Sequence, residues 1–157
     1  MNAAGFVGTA LTHTHKLTDI TGTGAFVASS WATCAALLLH QRAVAPNKPL
    51  PLRPIILTAA VTLWGVRLGA FLLHRIMTSP EDNRLSKFFP KSGELPIRLA
   101  GFWSIQATWA FVTLLPVTLA CRRPPPAAIA RLGALEAAAL AAFALGLACE
   151  AVADAQK

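Results

Sequence analysis

LEAAALAAFALGLAC, residues 135–149, runs without a break into EAVADAQK, residues 150–157. The first block is rich in alanine and leucine and, with its flanks, approaches the roughly 20 apolar residues that span a bilayer as a helix. The second brings two carboxylates, an amide and a lysine into the same helix. Glu150, Asp154 and Lys157 stand at i, i+4 and i+7, so a helix carries them on one face. A charge in hydrocarbon costs about 2.5–3.5 kcal/mol on insertion scales. Such a face must turn toward protein, water or a ligand. A membrane helix with one polar wall sets the class of fold.

Three further apolar stretches lie upstream, at about residues 20–39, 55–73 and 99–121, and the fourth covers about 132–153. The chain of 157 residues is 55% hydrophobic and only 13% charged, against about 25% charged in soluble proteins. Its mean hydropathy is +0.54. Backbone groups in lipid must satisfy one another, so each stretch is read as a helix. The expected architecture is an all-α polytopic bundle of four transmembrane helices. Residues 1–19 form an N-terminal stub and residues 20–157 the membrane domain. The apolar piece at residues 3–11 is too short to cross.

The net charge of +7 does not indicate nucleic acid. The basic residues sit between apolar runs and form no stripe. They suit lipid headgroups or an anionic cofactor. Loop charges do not fix the orientation. Arg42, Lys48, Arg53, Arg122, Arg123 and Arg131 fall on one side. Lys16, Arg75, Arg84, Lys87, Lys91, Arg98 and Lys157 fall on the other, six against seven. Cys34, Cys121 and Cys149 lie apart in or beside apolar runs and read as packing residues. His13 and His15 have no acidic or cysteine partner nearby, so no metal is expected. No secretory leader is expected. No Walker loop, dinucleotide fingerprint or nucleophile elbow is present.

The chemistry-bearing residues gather in a few segments. LWGVRLGAFLLHR, residues 63–75, places Arg67, His74 and Arg75 toward one side of the second helix. Arg67 is the deepest of these cations. It either snorkels, pairs with a carboxylate such as Glu136 or Glu150, or lines a site for an anionic ligand. SPEDNRLSKFFP, residues 79–90, holds Glu81, Asp82 and Arg84 in a polar loop. FWSIQATWAFVTLLPV, residues 102–117, holds Gln106, an amide expected to hydrogen-bond a neighbouring helix or a ligand. Ordinary helix packing accounts for Trp103 and Trp109, with interface anchoring as the alternative reading. Asp19, in KLTDITGTGAF, reads as a helix N-cap.

KLTDITGTGAF, LWGVRLGAFLLHR, the EDNR loop, FWSIQATWAFVTLLPV and EAVADAQK, in this order, resemble successive blocks of the DUF1295 membrane proteins, within the wider steroid 5-alpha-reductase C-terminal superfamily. The resemblance covers about residues 16–157. In that family a polar segment and an Arg-His-Pro-Asn-Tyr-x-Gly-Glu type motif follow the last block, so the sequence resembles a truncated member. The resemblance implies a membrane-embedded helical fold with a cytosol-facing NADPH pocket. It also implies reduction of a carbon–carbon double bond conjugated to a carbonyl in a lipid- or steroid-like substrate. It assigns Arg67, Arg75, Glu81, Asp82, Arg84, Glu150, Asp154, Gln156 and Lys157 to the cofactor side, and no catalytic acid. Membrane lipids and a lipophilic small molecule are the expected partners, with the endoplasmic reticulum as location in a eukaryote. A membrane methyltransferase of the isoprenylcysteine or phospholipid type and a non-catalytic membrane fragment are the alternatives.

Overall fold

The computed structural model describes residues 6–7, 16–78, 97–122 and 133–156. Four helices form the bundle: α1 (Lys16–Val44), α2 (Leu52–Thr78), α3 (Ile97–Arg122) and α4 (Ala134–Ala155). All four are long and apolar enough to cross a membrane. The helices run further than the apolar stretches that announce them. α1 begins at Lys16, so Asp19 lies in its first turn and is not its cap.

Local chemistry sets the ends. Between α1 and α2, Gln41 Nε2 donates to the carbonyl of Pro49 (2.8 Å) and ties the end of α1 to the Pro-rich link. Pro54 sits in the first turn of α2, where its missing N–H is harmless. The N–H of Gly133 donates to Glu136 Oε2 (2.9 Å) and closes the start of α4.

α1 and α2 pack most closely, and small residues make this possible. A β-carbon on Gly65 would stand 2.7 Å from Val27 Cγ2. One on Gly69 would stand 3.4 Å from Thr23 Oγ1. Close backbone approach is the usual source of attraction between helices in lipid, where apolar burial gives little. Trp31 Nε1 adds a hydrogen bond to Thr62 Oγ1 (2.9 Å). These contacts run in reverse order along the two helices, so α1 and α2 are antiparallel.

α3 closes against the pair through aromatic rings. Phe26, Trp64 and Trp109 meet edge to face, with centroids 4.8–6.3 Å apart. Edge-to-face contact is the favoured geometry for such rings. Nearer the α1–α2 link, Cys34, Val117 and Cys121 form a buried cluster with Ile55, Leu57 and Val61 beside it. The expectation of small apolar packing residues therefore holds for Cys34 and Cys121, whereas Cys149 is exposed. For the tryptophans the packing reading is the one the contacts favour. Trp103 is buried and Trp109 stacks mid-helix with Phe26 and Trp64. Trp103 is in the second turn of α3, and Trp109, though 46% exposed, packs one side against the other two helices.

α4 differs from the rest. None of its residues is buried. It lies at the edge of the bundle, joined to α2 by charges.

Candidate functional site

The charges of α2 and α4 meet in two steps. Arg53 pairs with Glu136. Arg67 pairs with Glu150 (Nη1 to Oε1, 3.0 Å) and with Asp154. The sequence spacing explains the fit. Arg53 and Arg67 are 14 residues apart (67 − 53), and so are Glu136 and Glu150 (150 − 136). Equal spacing, close to four turns at 3.6 residues per turn, lets both pairs form only if the helices run parallel. The connectivity of an up-and-down bundle supplies that direction, because α3 intervenes between α2 and α4.

The two steps differ in depth. Arg67 is two residues past the middle of α2, about 3 Å along the axis at 1.5 Å per residue. It is therefore near the middle of α2, while its partners Glu150 and Asp154 stand in the last two turns of α4. Arg53 lies near the start of α2, about 18 Å from that middle, beyond the roughly 15 Å half-thickness of the hydrocarbon. The Arg53–Glu136 pair is interfacial and the Arg67 cluster is intramembrane. At that depth an arginine needs compensation. Two carboxylates one turn apart on α4 provide it. Asp154 is the better covered, its side chain 13% exposed against 39% for Glu150. Nη1 of Arg67 is buried and touches Glu150 without an aligned hydrogen bond.

Beside the cluster a groove of about 340 Å³ opens between three helices. Its walls are Val61 and Trp64 of α2, Thr113 of α3, and Phe143, Gly146, Leu147 and Glu150 of α4. Most of this surface is apolar. Its size is at the lower end of small-molecule pockets, roughly 300–1,000 Å³.

The structure thus brings together Arg67, Glu150 and Asp154. The shared face of Glu150 and Asp154 is seen directly. Of the two partners open to Arg67, Glu150 takes it, and Glu136 goes to Arg53. Arg75 lies eight residues beyond Arg67, half-buried near the end of α2, while His74 is exposed. Gln156 caps the end of α4 and is exposed. Glu81, Asp82, Arg84 and Lys157, like His13 and His15, lie outside the described residues. Gln106 lies beside α1, its Nε2 3.9 Å from where a β-carbon on Gly22 would stand, and makes no hydrogen bond among the described residues. No cluster able to hold a metal occurs among the described residues. Sequence reasoning missed Arg53 and Thr113. The equal 14-residue spacings could have found Arg53, but nothing in the sequence singles out Thr113 from the other helix threonines.

An all-α, multi-pass membrane bundle with an intramembrane charge cluster is the class that this geometry defines. Residues 5–157 match the model of the family described as Protein of unknown function (DUF1295). The chain belongs to that family. No curated protein and no solved structure matches it.

Proposed function

We propose that the chain is part of a membrane-embedded, NADPH-dependent reductase acting on a conjugated carbon–carbon double bond in a lipid-like substrate. The observation that carries this reading is the Arg67–Glu150–Asp154 cluster at the edge of an apolar intramembrane groove. A few convergent polar groups in an apolar concavity are the usual signature of a small-molecule site. The resemblance of the sequence blocks to the reductase superfamily supplies the reaction class.

The described residues fit part of such a cofactor. Carboxylates accept hydrogen bonds, so Asp154 and Glu150 suit ribose hydroxyls. Arg75, toward the end of α2, suits a phosphate, whose oxygens match a guanidinium fork. Arg67 does not suit a phosphate in this arrangement, because two carboxylates already neutralise it. Its role in this reading is to hold Asp154 and Glu150 in place. Bound there, the nicotinamide supplies a hydride for the β-carbon of the conjugated carbonyl. The apolar walls formed by Trp64, Phe143 and Leu147 keep water from the reacting centre.

The test is NADPH consumption by the full-length protein in proteoliposomes supplied with a lipophilic enone, with the saturated carbonyl product identified by mass. Binding of S-adenosylmethionine without binding of NADPH would overturn the reading in favour of a methyltransferase. A second reading rests on the matched 14-residue spacings. They make the ion pairs a docking ladder for α4 in a non-catalytic membrane protein. In that case NADPH does not bind, and breaking the ladder affects only stability.

A further inference from the structure

Two thiols that the proposed site does not use meet at the other end of the bundle. Cys34 of α1 and Cys121 of α3 are 1% and 6% exposed and sit in one buried cluster with Val117. Their thiols are within hydrogen-bonding reach of each other, and neither is in a disulfide. Helices that approach closely in lipid usually do so through glycine, alanine, serine or threonine. Here two sulfurs face each other across the α1–α3 contact. The third cysteine, Cys149, stands apart from them, exposed on α4.

The pair has a route to water. Cys121 is the penultimate residue of α3, in the turn that ends at Arg122. It lies about 17 Å from the middle of α3 at 1.5 Å per residue, beyond the roughly 15 Å half-thickness of the hydrocarbon. Helix ends fray. Opening this one turn uncovers the Cys121 sulfur while the rest of α3 stays packed.

Cys34 remains inside, where the cluster's neighbours on α2 are Ile55, Leu57 and Val61. A thiol reacts as its thiolate, and a hydrogen-bond donor favours that charged form. The α1–α2 contacts advance in register from Thr23–Gly69 through Val27–Gly65 to Trp31–Thr62. Continuing them brings Thr58 level with Cys34. Thr58 is fully buried, and its hydroxyl has no partner. It is a donor at hand when Cys34 gives up its proton.

We propose that Cys34 and Cys121 are an oxidisable dithiol that closes into a disulfide between α1 and α3 by exchange with a small dissolved disulfide. Cys121, as the thiolate of the opened turn, attacks one sulfur of the reagent. A mixed disulfide forms and the first small thiol leaves. Cys34 then attacks the Cys121 sulfur, and the second small thiol leaves. Two protein S–H bonds and the reagent's S–S bond are consumed; one protein S–S bond and two small thiols are formed. The protein loses two electrons and two protons, and the reagent gains them. The new bond clamps α3 to α1 at the end of the bundle where Arg53 meets Glu136. Ile55 and Val61, which border the cluster on α2, precede Arg67 by about 18 and 9 Å along the axis. The inference therefore does not depend on the reduction proposed above, and it is read without NADPH.

The test equilibrates the full chain, folded in lipid nanodiscs, with glutathione buffers of rising oxidised fraction. Acid quench, alkylation and peptide mapping by mass spectrometry then locate each disulfide. A Cys34–Cys121 linkage is expected as the main product, with Cys149 recovered as a free thiol. Half-oxidation should need at least tenfold less oxidised glutathione than in the chain unfolded in dodecyl sulfate, a shift of about 30 mV for a two-electron couple. That comparison needs no variant. Cys149→Ser should leave the closure unchanged. Equal half-oxidation of the folded and unfolded chains overturns the dithiol. So does a folded chain in which Cys121 carries glutathione and never closes, or in which closure requires Cys149.

Discussion

Replacing Arg67 with leucine removes the cation from an intramembrane cluster and leaves two carboxylates behind. Asp154, 13% exposed, has little access to water or headgroups, while Glu150, 39% exposed, can relax toward the groove. Taking one partner from a buried pair costs about 3–5 kcal/mol, because the remaining charge is uncompensated. The partial exposure of Glu150 puts the expected loss near the lower end, about 3 kcal/mol. Arg53→Leu is the matched control on the same two helices. Its side chain and that of Glu136 are 28% and 32% exposed at the interface, and Glu136 keeps its bond from the Gly133 N–H. That change should cost about 0–1 kcal/mol. The assay is reversible unfolding in mixed micelles of rising dodecyl sulfate fraction, read by proximity of dyes on α2 and α4. The decisive variant combines Arg67→Leu, Glu150→Leu and Asp154→Leu. With no charge left to bury, it should return to within about 1 kcal/mol of the parent or exceed it. If Arg67→Leu costs no more than Arg53→Leu, or if the triple variant is as unstable as the single one, the cluster is not the buried ionic contact described here.

Other outcomes follow from the same geometry. Gly65→Ala forces a methyl to within 2.7 Å of Val27 Cγ2 and should destabilise by about 1–3 kcal/mol; adding Val27→Ala should restore much of the loss, measured as coupling in a double-mutant cycle. In the full-length protein, Arg75→Ala or Asp154→Ala should weaken NADPH binding more than tenfold, about 1.4 kcal/mol, by titration calorimetry, while Arg53→Ala should leave it unchanged. If both site substitutions keep full affinity in folded protein, the cofactor assignments fail even though the family stands. A glycosylation acceptor inserted near Lys87 should remain unmodified in a eukaryotic membrane; its modification would reverse the orientation that puts the α2–α3 link in the cytosol.

The sequence by itself determined the class of fold. Four apolar runs with polar, proline-marked links leave little choice, because lipid forces each run to satisfy its backbone as a helix. It also determined that Glu150 and Asp154 share a face, since helical periodicity is local. It left Arg67 with competing partners. The choice between Glu136 and Glu150 depends on which way α4 runs beside α2 and at what offset, and that is a property of the bundle. The tertiary structure made the choice: parallel helices with equal 14-residue spacings send Glu136 to Arg53 and Glu150 to Arg67. Trp103 and Trp109 show the same division. Composition favours tryptophan at interfaces, but three-helix contact with Phe26 and Trp64 holds Trp109 mid-span. The groove was invisible for a related reason. Thr113, Phe143 and Leu147 come to line one groove only because α3 and α4 both stand beside α2, and that neighbourhood is a property of the bundle.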